Sequence, residues 1–198
     1  MESLKPCVAR GTGIQPTLVD ALSALIDDGQ MRTALDAAEE TLDERERDFI
    51  RNIREHGWFR TSVFGDGQNP SFSYTTGFWL TLGFPEIVVF ALKPETAHAV
   101  LWDIWNDIRQ DRTPAIGEPA DLFGNHKGYL LPVRQAEYSN HLGWNRWFYG
   151  GDDFPCVQMV WPDREGQFPW DSEFDAGFQD DQPDLSVSGW DRFRADLK

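Results

Sequence analysis

Residues 71–92 read SFSYTTGFWLTLGFPEIVVFAL, and two different hydrophobic patterns meet within them. In the first part the side chains alternate, with Phe72, Tyr74 and Thr76 on one side and Ser71, Ser73 and Thr75 on the other, as a strand with two unlike faces requires. TSVF at 61–64 and the turn material GDGQNP at 65–70 precede it, which predicts a β-hairpin. In the second part PEIVVFAL at 85–92 is apolar throughout, which predicts a strand buried on both faces. Pro94 suits a first helical turn, and Ala97, Val100, Leu101, Ile104, Trp105 and Ile108 form a stripe at helical spacing. A strand pair, a buried strand and a covering helix over about 95–109 give an α+β class. The sheet is expected to be mainly antiparallel, with a split-barrel-like form as a variant.

Downstream, 112–127 reads as loop, and GYLLPVRQAEY at 128–138 as a strand placed at an edge by Pro132. HLGWNRWFYGG at 141–151 suits a short helix or packed loop, and FPCVQMVWP at 154–162 a final strand. From Asp163 onward Gly, Pro and acids predict irregular structure with a short helix near 188–196. Upstream, 1–16 reads as a leader and Thr17 as the cap of a helix reaching about Asp27. A second helix is expected from Met31, with Thr41 and Glu44 as a capping box and Leu35, Ala38, Leu42, Phe49 and Ile53 on one face, ended by Gly57. The expected division is 1–45 as leader and helical extension, and 46–198 as the α+β domain.

The chain has 198 residues, 9 Trp, 14 Phe and a net charge of −15, enough aromatic area for a substantial core. Residues 151–198 hold 12 acids against 4 bases. Such a field repels phosphate backbones, so no nucleic acid is expected as a partner, whereas a basic protein would be attracted. The two cysteines have no zinc-site or disulfide-framework spacing, and no stretch has the length of a membrane span or the form of a signal peptide. A cytoplasmic protein without membrane contact is expected.

Trp161-Pro162-Asp163 has the form of the acid-bearing loop of tyrosine phosphatases, but that chemistry needs an Arg six residues after its Cys. Pro162 and Gly13 stand at that distance from Cys156 and Cys7. His56, His98, His126 and His141 lack metal-ligand spacing, and DSEFDAG at 171–177 departs from a calcium loop at Ala176 and Gln182. Asp103, Asp107 and Asp111 suit a solvated helix face, and Cys156, among apolar neighbours, a buried small hydrophobe. No G-x-S-x-G and no phosphate-binding glycine loop occur. Tyr74, Gln158 and Asp163 are the polar residues that sit oddly among apolar neighbours, and the Tyr74 hydroxyl is the expected partner of Gln158.

IREHGWFRTSV at 53–63, FSYTTGFW at 72–79, PEIVVFAL at 85–92 and VQMVWPDREGQFPWD at 157–171 come in the order of the motifs of a bacterial domain-of-unknown-function family, number 4262, and residues 46–185 resemble that family. The resemblance implies that Trp161 and Trp170 anchor one strand-and-turn element, with Pro162-Asp163 opening the turn and Gly166 at a positive φ. The strand and helix order across 60–110 also resembles, in topology only, flavin-binding split barrels. There Thr75, Thr76 and Gly77 would hold a phosphate and Trp79 or Trp161 would wall the ring, although 61–92 lacks Arg and Lys.

Two functions are therefore expected in order. The first is non-catalytic recognition of a basic protein partner, like that of an immunity protein for a toxin, with no cofactor and no metal. The alternative is a small-molecule or FMN pocket. Tyr74, Thr75, Thr76, Gln158, Trp161, Asp163 and Trp170 are the candidate pocket or interface residues.

Overall fold

A computed structural model describes residues 32–124 and 126–194. The expected leader and the helix at 17–27 lie outside the described residues. Helix α1, Glu44–His56, starts from a reciprocal cap: Asp43 accepts from the Glu46 N–H at 2.8 Å, and Glu46 accepts from the Asp43 N–H at 2.8 Å. The helix expected from Met31 is replaced by two 3₁₀ turns, Ala34–Asp36 and Glu39–Thr41. The Thr41 hydroxyl is spent on the Ala38 carbonyl at 2.6 Å, and Ala37 and Leu42 are extended, so the helix cannot run through them. Its buried face is Phe49, Ile50 and Ile53, and Gly57 ends it at a φ of 83°.

Strand β1, Phe59–Val63, pairs antiparallel with β2, Phe72–Thr76, from Phe59 opposite Thr76 to Val63 opposite Phe72. Asp66 fastens the connecting loop by accepting from the N–H groups of Gln68 and Asn69. The second strand stops earlier than its alternation suggests, because Gly77 turns the chain at a φ of 108° into a one-turn helix α2, Phe78–Leu82. Strand β3, Glu86–Phe90, is buried at every position, and α3, Pro94–Ile108, follows it.

Residues 119–123, expected as loop, form β4, Pro119–Phe123, paired with β5, His126–Pro132. The short helices α4, Tyr138–His141, and α5, Gly143–Tyr149, lead to β6, Cys156–Val160, and α6, Asp191–Arg194, closes the described chain. The open sheet runs β1-β2-β3-β6-β5-β4, antiparallel except between β3 and β6. Pro132 thus sits in an inner strand, where it is tolerated because it is the last residue of β5; its carbonyl accepts from Val187.

Alternation divides the core. Ile87, Val89, Leu130, Val157 and Met159 face α3 and meet Ala97, Leu101, Ile104 and Trp105. Leu131 and Val160, on the other face, meet Trp170 and Trp190. Among the described residues no helix is long and apolar enough to cross a membrane.

Candidate functional site

The seven candidate residues fall in two places. At the first, β2 ends against a buried carboxylate. Gly77 opens α2 but has no side chain to cap it, and Glu86, the first residue of β3, supplies the acceptor. Its Oε1 accepts from the N–H groups of Gly77 at 2.8 Å and Trp79 at 3.1 Å and from the Tyr149 hydroxyl at 2.5 Å. Its Oε2 accepts from the Thr75 hydroxyl at 2.6 Å, and Thr75 Oγ1 in turn accepts from the Ile87 N–H at 2.9 Å. The Thr76 hydroxyl bonds Asn145 Oδ1, the Asn145 amide donates to the Thr75 carbonyl at 3.0 Å, and the Tyr74 hydroxyl accepts from the Trp144 N–H at 3.3 Å. Thr75, Thr76, Glu86 and Asn145 are all fully buried.

Burial raises the Glu86 carboxyl above its ordinary range, against the opposing pull of these donors. Burial and the nearby Glu86 charge push the Cys156 thiol up as well, the reverse of what a nucleophile needs. The groups considered for a flavin phosphate, Thr75, Thr76 and the Gly77 N–H, are thus bonded within the protein and do not fit that role.

The second place is the end of β6. Gln158 does not meet Tyr74: its amide donates to the Pro183 carbonyl at 2.7 Å and accepts from the Leu185 N–H at 3.0 Å. Gln182 does the same to Trp161, accepting from its N–H at 3.0 Å and donating to its carbonyl at 2.9 Å. Each side-chain amide thus stands in for a strand neighbour's peptide group and fastens 182–185 along the sheet. The Trp161 indole N–H reaches the Phe90 carbonyl at 2.8 Å. Asp163 organises the following turn, its carboxylate accepting from the N–H groups of Glu165, Gln167 and Asp175, each at 2.9 Å. Burial works against its charge, yet these amides hold the carboxyl below its usual value. Trp170 stacks on Phe193 at 4.2 Å and Phe168 at 5.0 Å.

Open surface lies elsewhere, in a groove of about 630 Å³ between the β1–β2 loop, α4 and the fastened segment 183–185. Phe72, Phe90 and Leu185 line it, and Phe64, 81% exposed, stands at its lip. His141 meets Phe72 and Phe90 edge-on at 5.4 and 5.6 Å, its Nδ1 3.0 Å from the Glu137 carbonyl. Asp66, Glu137 and Asp184 also line the groove, and among the described residues no Lys or Arg does. Arg134 reaches Glu137 from outside the lining, at 3.2 Å.

A family model described as Domain of unknown function (DUF4262) matches residues 52–175. The chain belongs to that family. No curated protein and no solved structure matches it. In this DUF4262 chain the matched span contains all six strands, the Glu86 cluster and the Asp163 turn, while Gln182 and the 183–185 wall of the groove lie beyond it. The DUF4262 motifs also explain one another. A Cβ on Gly77 would stand 2.6 Å from the Gly57 carbonyl oxygen and 3.0 Å from Trp58 Cα, so Gly57-Trp58 and Thr76-Gly77 are pressed backbone to backbone. Sequence reasoning missed Glu86, Asn145 and Gln182. For Glu86 a signal existed, an acid opening the otherwise apolar run PEIVVFAL, whereas Asn145 and Gln182 are partnered only through contacts distant in sequence.

Proposed function

We propose that this DUF4262 chain recognises a basic protein partner without catalysis, the pairing an immunity protein makes with a cationic toxin being one instance. One observation carries the reading: the acidic C-terminal segment is fixed, and six of its carboxylates have no cationic partner among the described residues. Gln158, Gln182 and Asp163 fasten the segment, while Asp171, Glu173, Asp175, Asp180, Asp181 and Asp184 make no ion pair with a basic side chain among the described residues. Carboxylates held in place without cationic partners repel one another, and a cationic surface relieves that repulsion while being steered toward it. The inward-bonded candidate residues give the small-molecule alternative no such support.

The test is the association rate of the chain with a panel of small cationic proteins. Binding is expected for a subset, with a rate that falls steeply as salt shortens the screening length to about 8 Å. Asp180→Asn with Asp181→Asn should slow association and leave thermal stability unchanged, because Asp180 is exposed and neither carboxylate fastens the backbone. Asp184 is unsuited to that test, since its carboxylate holds the Ser186 and Trp190 N–H groups. Rates indifferent to both salt and the two substitutions would overturn the reading.

A further inference from the structure

We propose that the groove between the β1–β2 loop and α4 reads an arginine side chain from a basic partner segment. The inference rests on the partner-recognition reading and names what the partner must present. Three features of the groove converge on this occupant. Its lining carboxylates are Asp66, Glu137 and Asp184, of which Glu137 is shared with Arg134 at 3.2 Å, so a cation is favoured over an anion. Its apolar wall is aromatic: half-buried Phe72 has Phe90 beside it at 5.3 Å, itself only 2% exposed, and Phe64 projects at the lip with 81% of its surface in solvent. Its volume, about 630 Å³, takes a side chain with flanking backbone.

Among cationic groups the guanidinium fits best. It is planar and weakly hydrated, so it can lie on a phenyl face while its N–H groups point in the ring plane toward carboxylates. An ammonium is a strongly hydrated point charge that gains less from the same wall. Asn69, whose NH₂ is held on the Asp66 carboxylate, lines the groove beside it. The groove also shares Pro183, Asp184 and Leu185 with the acidic segment, so a partner steered by that segment arrives beside it.

The experiment titrates the full chain at low salt with three ten-residue peptides, alternating Arg-Gly, Lys-Gly and Glu-Gly. The Arg peptide is expected to bind about 3- to 10-fold more tightly than the Lys peptide, and the Glu peptide not at all. Phe64→Ser, at an exposed position where folding loses little, and Glu137→Gln should each remove that preference, and the ring protons of His141 should shift on Arg-peptide binding. Asp180→Asn with Asp181→Asn should weaken both basic peptides alike and keep their ratio. Equal binding of Arg and Lys peptides, insensitive to Phe64→Ser, overturns the groove and leaves recognition by the acidic segment standing. Failure of every peptide at low salt also overturns the groove, and binding of the cationic proteins then decides the broader reading separately.

Discussion

The Gly77 N–H donates to Glu86 Oε1 across 2.8 Å, so a helix that begins on a residue without a side chain is capped by a carboxylate from the next strand. The acceptor is fully buried, and among the described residues no cation faces it; its partners are N–H and O–H groups.

That arrangement sets a pH dependence. Burial raises the Glu86 carboxyl in the folded state above the ordinary 4.5, so the folded protein holds this proton more tightly than the unfolded chain does. The contribution of Glu86 to stability is therefore complete below about pH 4.5 and is lost as pH rises through the raised folded value. Glu86→Gln, which stays neutral, should gain in melting temperature relative to the native protein as pH is raised across that window. A difference that stays constant with pH would refute the account. Glu86→Ala leaves its donors without an acceptor at about 1–3 kcal/mol each and should abolish cooperative unfolding.

Gly77→Ala is expected to destabilise by more than about 1 kcal/mol, since its φ is 108° and its Cβ would meet the Gly57 carbonyl. Gly166→Ala shares the positive φ, at 83°, but its Cβ meets nothing within 4 Å. Denaturant midpoints should show the Gly77 change as clearly the larger, and equal effects would mean that the close approach costs nothing.

Trp161→Ala should cost about 3–5 kcal/mol, the loss typical of an emptied aromatic site. The ring is 9% exposed, meets Phe178 edge-on at 5.7 Å and donates to the Phe90 carbonyl. Near-native stability in chemical unfolding would remove Trp161 from the structural role given to it.

Gln158→Leu should cost about 1–3 kcal/mol by leaving the Leu185 N–H without an acceptor. Hydrogen exchange is the sensitive measurement, because the loss should appear as faster exchange at residues 183–187 with little change at β3. Unchanged exchange there would mean that Gln158 does not fasten the segment.

A chain beginning at residue 46 is expected to fold, since all six strands and α3 follow that point. It loses Asp43, and with it about 1 kcal/mol of helix capping that a chain beginning at residue 42 keeps. Thermal unfolding of the two chains side by side measures the difference, and loss of a cooperative transition in the shorter one would show that residues before 46 are needed for the fold.

Where a pattern is local, the sequence alone determined this protein's structure. The alternation at 72–76, the apolar run at 85–92, the stripe of α3, the end of α1 at Gly57 and the family motifs were all legible, because each depends on neighbours within a few residues. Tertiary structure decided what depends on distant partners. The last strand joins the buried strand in parallel, placing Gln158 opposite Val88, and β4 forms from a segment with no strand pattern of its own because β5 offers it an edge. Gln158 bonds to Pro183 and Leu185 rather than Tyr74, since a side-chain amide takes whichever peptide groups the fold lays beside it. Glu86, one acid before an apolar run, becomes the cap of another element only when Gly77, Trp79, Thr75 and Tyr149 converge on it, and a sequence pattern read along the chain carries no term for donors that meet across up to 63 residues.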